Sequence, residues 1–173
     1  MKFIYNLLRY LAAVFLDIIP RDEPHGRPLF EGLARHTWFI SFEAVLLRKS
    51  GNSIEVFLTQ RGLDEAYPGE WHCPGTIFRS TDRDEADAAK RLSQREFKAE
   101  IMSFCLVAED FNIHEKRGHC LHRIYLVETD EEPQAKNGKW FRVDELPSML
   151  VEHHRNVVIP RALAQYNLKN NKI

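Results

Sequence analysis

The sequence predicts a mixed α/β domain, a sandwich in which a mixed sheet lies between helices, with an apolar helix added in front of it. Three observations carry that prediction. Apolar, β-branched runs separated by turn residues recur after His36, a charged Ala-rich segment of helical pattern is enclosed by them, and a second helical pattern closes the chain. At 173 residues the chain suffices for one core-burying domain and is short for two.

The first element is MKFIYNLLRYLAAVFLDIIP. Lys2, Asn6, Arg9 and Asp17 recur at helical spacing with Ala13 completing the row, so a narrow polar stripe runs along an otherwise apolar helix that Pro20 stops. Arg9 in mid-helix argues against a secretory signal or a membrane span. The helix is therefore expected to be covered by protein, docked across a homodimer or, as the alternative, packed on its own domain, with no stable membrane insertion. Pro20 to Pro28 carries three prolines, one glycine and several charges, the composition of a linker. That divides the chain into an apolar helix with its linker, residues 1–35, and a main domain, residues 36–173.

Within the main domain, TWFISFEAVLLR and SIEVFLTQR flank Ser50, Gly51 and Asn52, which predicts a hairpin. Pro68 and Gly69 lead into Glu70, Trp71, His72, Cys73, Pro74 and Gly75, with Trp71 expected to bury beneath the turn. A helix follows from about Asp84 to Lys98, capped by Thr81 or Asp82. Strands are expected near SFCLVAED, HCLHRIYLVET and KWFRV, then a turn at DELPSM and a helix near HHRNVVIPRALAQY that Pro160 kinks or delays.

Composition narrows the function. Hydrophobic content of 44%, aromatic content of 11% and a formal charge of −1 give no bulk electrostatic signal for nucleic acid or an anionic membrane surface. Cys73, Cys105 and Cys120 lie far apart without the spacing of a disulfide framework or zinc knuckle, which fits a reducing cytoplasm. His114, His119 and His122 with Cys120 run along one strand whose alternation turns neighbours to opposite faces, an argument against zinc. His153 and His154, at the start of the last helix, are expected to cap it or face solvent.

The chemistry concentrates where the strand at Trp71 meets the charged helix. GEWHCPG followed by DAAKRLSQREFK resembles the Nudix hydrolases, whose box is a Gly, a spaced Glu, then R-E-U-x-E-E-x-G-U with U aliphatic, preceded by a G-x-W-x-x-P-G-G run. The resemblance covers Thr37 to Tyr166, and it implies an α/β/α sandwich and a metal-assisted hydrolase. Two registers are open. In one, Arg91 matches the arginine and Glu96 the last metal-binding glutamate, leaving Leu92 and Arg95 where two other glutamates belong. In the other, Arg95, Glu96 and Glu100 match, placing two carboxylates four apart on one helical face at the cost of a longer insertion after Gly75. Loop-length arguments favour the first.

Read in that register, RLSQRE is similar to the altered box of the GDP-mannose mannosyl hydrolase branch. Gln134, six residues before Trp140, matches that branch's remaining side-chain metal ligand, whereas Ala135 stands where the branch has a histidine. The resemblance implies Gly75, Glu96 and Gln134, with Glu100 in the second register, as ligands of Mg²⁺ or Mn²⁺. It implies Arg91 and His122 as catalytic groups beside Glu96, and Arg61, Arg95 and Trp140 as contacts to substrate. A pyrophosphate is polyanionic and its leaving group gains negative charge, so hard oxygen ligands around a cation and an arginine clamp answer both needs. Two classes follow: a hydrolase of a nucleoside diphosphate linked to another group, such as a nucleotide sugar, or an impaired Nudix-fold module that binds nucleotides or regulates.

Overall fold

The computed structural model describes residues 1–19, 26–114 and 118–170. Among these, the elements run α1 (Lys2–Ile18), α2 (Gly26–Ala34), β1 (Phe39–Ser50), β2 (Ser53–Gln60), β3 (Trp71–His72), β4 (Gly75–Ile77), α3 (Glu85–Leu92), β5 (Ile101–His114), β6 (Gly118–Thr129), β7 (Gly138–Arg142) and α4 (Ile159–Asn170). Among the described residues, no helix is long and apolar enough to cross a membrane.

The expected hairpin joins β1 to β2, with Ser50 opposite Ser53 and Gly51 at φ 59° in the turn. The sheet order is β3-β2-β1-β6-β5, with β4 paired to β1 and β7 to β2. Only the β1–β6 pair among these ladders is parallel, so the sheet is mixed as predicted. Strand alternation then sorts side chains between two layers. Phe42, Ala44 and Leu46 of β1 join Tyr125 and Val127 of β6 under Ala88, Ala89 and Leu92 of α3. Val45 and Leu47 join Ile124 and Leu126 under Val158, Ile159 and Ala162 at the start of α4.

Several boundaries differ from the sequence reading. Asp84, not Thr81 or Asp82, caps α3 by accepting from the Ala86 and Asp87 amides. After Leu92 the helix widens into a π-type turn, Ser93–Phe97, and Lys98 ends it in the left-handed region at φ 54°. A similar widened turn, His154–Val158, precedes α4, where Pro160 has no N–H to give to a regular ladder. Trp71 is half-buried and packs edge-on against Phe141 at 4.7 Å.

The expected linker lies partly outside the described residues, at 20–25. From Gly26 onward the chain is helical instead: Pro28 sits in the first turn of α2, where a missing N–H costs nothing. Phe30 of α2 stacks on Phe39 at 4.8 Å. At the end of α2, the Ala34 carbonyl approaches Gly118 so closely that a Cβ there would sit 2.0 Å from the oxygen, and Gly118 has φ +100°, so both space and backbone demand glycine.

Candidate functional site

The side chains on the Val45 face of β1 turn polar toward its start. Ser41 and Glu43 follow Phe39 at every second position, and across the parallel ladder Cys120 and His122 of β6 take the same face. A charged residue on a strand buried from both sides needs a partner. Glu43 has one: His122 Nδ1–H donates to its Oε1 at 3.0 Å, with Ser41 Oγ 3.0 Å from the same nitrogen. Glu43 is 6% exposed and His122 2%.

More histidines close around this pair. The Cys73 amide donates to His154 Nδ1 at 3.0 Å, which leaves the proton on Nε2, 3.8 Å from Glu43 Oε2. His72 Nε2 lies 3.2 Å from Thr59 Oγ1, and the His153 ring lies 4.5 Å from that of His122. Burial opposes a charge on Glu43, yet the hydrogen bond from His122 and the positive fields around it hold the carboxyl well below the usual range. Burial also opposes charge on His122, but hydrogen bonds with Cys120 and Glu43 and the charge of Glu43 push it up to about 10. His154 is kept neutral, its pKa driven well down by burial. The floor of the site is thus a carboxylate–imidazolium pair beside a neutral imidazole.

Gly75 is what gives this floor room. It stands opposite Glu43 in the β1–β4 ladder, and a Cβ on it would lie 2.5 Å from Glu43 Oε2 and 3.1 Å from Cδ. The carboxylate is tied to His122 and cannot swing aside. Gly75→Ala should therefore cost about 1–3 kcal/mol of stability, measured by urea denaturation; an unchanged midpoint would place Glu43 elsewhere.

Above the floor is a cavity of about 140 Å³, lined among others by Glu43, His122, Gly75, Arg61, Glu65 and Glu96. Arg61 arrives from the end of β2, Glu96 from the widened turn after α3, and Glu65 from the loop between β2 and β3. Arg61 Nη1 lies 3.6 Å from Glu65 Oε2. Burial and the negative charge of Glu65 raise the pKa of Glu96. Glu65 and Glu96 both line the cavity, and carboxylate oxygens are the donors a hard divalent cation takes.

The structure thus brings together four of the residues singled out in the sequence: Gly75, Glu96, Arg61 and His122. Arg91 is tied elsewhere, to Asp82 by an ion pair and to the Ile77 carbonyl at 3.1 Å, bracing the loop between β4 and α3. Arg95 is exposed and absent from the lining. Glu100 is exposed beside a groove along α3, and its amide donates to Asp130 Oδ1 at 2.9 Å. Gln134 donates to the Glu132 carbonyl at 2.9 Å. Trp140 donates to Glu132 Oε2 at 2.9 Å with Arg48 4.0 Å from its ring centroid, next to a separate surface groove. His153 is half-buried and His154 buried, not solvent-facing as expected; His119 stacks on Trp38 at 4.7 Å, and the His114 side chain lies outside the described residues.

Sequence reasoning did not single out Ser41, Glu43, Glu65 or His72. Glu43 carried a readable signal, a lone acid inside the apolar run FISFEAVLL; Glu65 sits in a polar loop and carried none.

The pair makes stability depend on pH. His122, raised from its ordinary 6.5 to about 10, contributes stability that is full below pH 6.5 and is lost as pH rises toward 10. Glu43, held below its ordinary 4.5, contributes stability present above that pH and lost as pH falls further. Unfolding free energy should peak between these limits and decline from neutral to alkaline pH. A flat profile from pH 6 to 9, roughly the window set by these shifts, would show that His122 is not charged.

No family model matches the chain and no curated protein matches it. Solved structures do. A MutT Nudix hydrolase from Burkholderia pseudomallei matches with TM-score 0.60 at 20% identity, over 69% of this chain and 95% of that one. The Nudix domain of Shewanella oneidensis NrtR, solved with ADP ribose, matches with TM-score 0.61 at 16% identity, over 82% and 94%. In the structure of NrtR itself, the match has TM-score 0.63 at 19% identity and covers 75% of this chain but 63% of that one. The fold is therefore that of the Nudix domain.

Proposed function

We propose that this Nudix-fold domain is a divalent-metal-dependent hydrolase of a nucleoside diphosphate linked to another group, with a nucleotide sugar as the favoured class. The observation that carries the reading is the meeting of Glu96, Gly75, Arg61 and His122, from four separate segments, around one cavity. The fold shared with a MutT hydrolase and with a domain that holds ADP ribose supports it, and the similarity of RLSQRE to the altered box of the nucleotide-sugar branch supports the finer class.

Glu96 and Glu65, with the Gly75 carbonyl, would hold Mg²⁺ or Mn²⁺; Gln134 and Glu100 would need to turn toward the cavity to join them. When bound, the ion supplies neutralisation of the pyrophosphate and polarisation of its oxygens. The chain's own groups do the rest. Arg61, its side chain 13% exposed, presents a cation to phosphate oxygens at the cavity wall. His122, kept protonated by Glu43, adds a fixed positive charge at the floor, where low dielectric strengthens its pull on developing negative charge. Arg91 acts through its hold on Asp82 and Ile77, which sets the path of the chain from Gly75 to Glu96.

The impaired binding module keeps a specific observation in its favour. Leu92, at a position where the family carries a glutamate, is buried in the α3 core at 1% exposure and supplies packing instead of a carboxylate. Substrate assays with Mg²⁺ separate the two readings, because a binding module takes up nucleotides without releasing product. On the hydrolase reading Glu100→Gln leaves turnover essentially unchanged, since Glu100 faces a different groove; a loss as large as that at Glu96 would restore the paired-carboxylate register.

A further inference from the structure

The seventeen-residue helix α1 contributes to neither core cluster and buries none of its residues. Phe3 is 80% exposed, Tyr10 69%, Phe15 64% and Ile18 71%. With side chains about 100° apart around a helix, Lys2, Asn6, Arg9, Ala13 and Asp17 fall within an arc of roughly 80°, and apolar or aromatic side chains occupy roughly 240°. What covers that arc has to wrap the helix.

A protein face of the kind available here cannot. Helices that dock on a domain bury a stripe on the order of 100° wide. The bare apolar end of the sheet formed by Trp38, Ile40, Phe111 and Ile113 lies on one face of the sheet, with Ile40 and Phe111 in one row on either side of Leu121. In its own chain or in a second copy, that surface would cover one such stripe and leave much of the arc in water. Liquid hydrocarbon covers it all. Tyr10 borders the polar arc on one side and Tyr5 lies within about 40° of it on the other, positions where a phenol buries its ring and keeps its hydroxyl wet. Lys2 and Arg9 extend from the stripe to headgroups. The helix is only about 25 Å long, short of a hydrocarbon core of about 30 Å, so it lies along the surface and does not span.

We propose that α1 lies in the interface of a lipid bilayer, apolar arc inward and polar stripe outward, tethering the Nudix-fold domain to the membrane surface. The proposal replaces the second copy expected from the sequence, and the width of the arc is the reason. It is independent of what the cavity hydrolyses. Asp17 offsets one of the two cations, so burial of apolar surface drives the attachment and anionic lipid adds little.

Flotation of the full chain with phosphatidylcholine vesicles tests this, because vesicle-bound protein rises while free or aggregated protein does not. The protein is expected to float with these neutral vesicles, with little gain when phosphatidylserine is added. Leu11→Glu combined with Phe15→Glu, at the centre of the arc, should lower the floated fraction at least about tenfold, and Asn6→Glu in the polar stripe should not. Wild-type protein that stays down, or floats no better than the double variant, overturns the proposal. A vesicle-free dimer seen by light scattering that the double variant splits assigns the arc to a second copy and overturns it equally.

Discussion

Replacing Glu96 with Gln is expected to lower Mg²⁺-dependent turnover of a nucleoside diphosphate substrate by roughly 100-fold or more, the loss of several kcal/mol that a catalytic cation supplies. The substitution is nearly isosteric and exchanges a hard anionic ligand for a neutral amide, so the change falls on the cation and not on packing. Glu96 stands at the widened turn that follows α3, where burial and the charge of Glu65 already disfavour its ionised form. A bound cation would satisfy it. The variant should therefore keep the wild-type unfolding transition and bind Mg²⁺ more weakly by calorimetry. Full activity in Glu96→Gln would move the metal away from the cavity, and an equal loss in the remote Glu100→Gln would restore the paired-carboxylate register.

The second large effect is on stability. His122→Ala removes the partner of a carboxylate that is 6% exposed, and an uncompensated buried charge costs about 3–5 kcal/mol. Neither Ser41, whose hydroxyl lies 3.0 Å from His122 Nδ1, nor the neutral His154 supplies the lost positive charge. The cost should fall sharply when Glu43→Gln is added, since the stranded charge is then gone, and chemical denaturation of the two single variants and the double variant gives the coupling directly. Additive losses would mean that Glu43 and His122 do not interact as a pair. The decline in stability from neutral to alkaline pH should vanish in the His122→Ala background.

The architecture was largely legible because hydrophobic alternation and turn residues act locally. FISFEAVLLR and SIEVFLTQR around Gly51 had to pair, and the charged run ending at Phe97 had to be helical on a sheet face. Where tertiary packing overrode local signals, the reading failed. Pro28 suggested linker, yet the first turn of α2 tolerates it, and Phe30 found a stacking partner in Phe39 that lies far from it in kind of element though near in sequence. His154 looked exposed because helix starts are usually wet; here the Cys73 amide, 81 residues earlier in the chain, claims its Nδ1 inside the core.

The site divides along the same line. Gly75 and Glu96 carried a motif, and the structure places both on the cavity. Glu43 carried only an anomaly, one acid in an apolar strand, whose meaning depends on His122 nearly eighty residues away across a parallel ladder. Arg91, Gln134 and Trp140 were selected by spacing, which specifies position along an element and not the direction of a side chain. Their partners, Asp82, the Glu132 carbonyl and the Glu132 carboxylate, are geometric facts that spacing does not contain.

On the proposed function, the cavity holding Glu96 performs metal-dependent hydrolysis. The most direct measurement incubates the wild-type protein with nucleotide sugars and ADP ribose in ¹⁸O-water, with Mg²⁺ and with chelator, and follows products by mass spectrometry. Release of a nucleotide with ¹⁸O in one product is expected only when the ion is present and only while Glu96 is intact. Tight binding of the same compounds with no ¹⁸O incorporated by the wild-type protein under any of these conditions would rule out hydrolysis at this cavity.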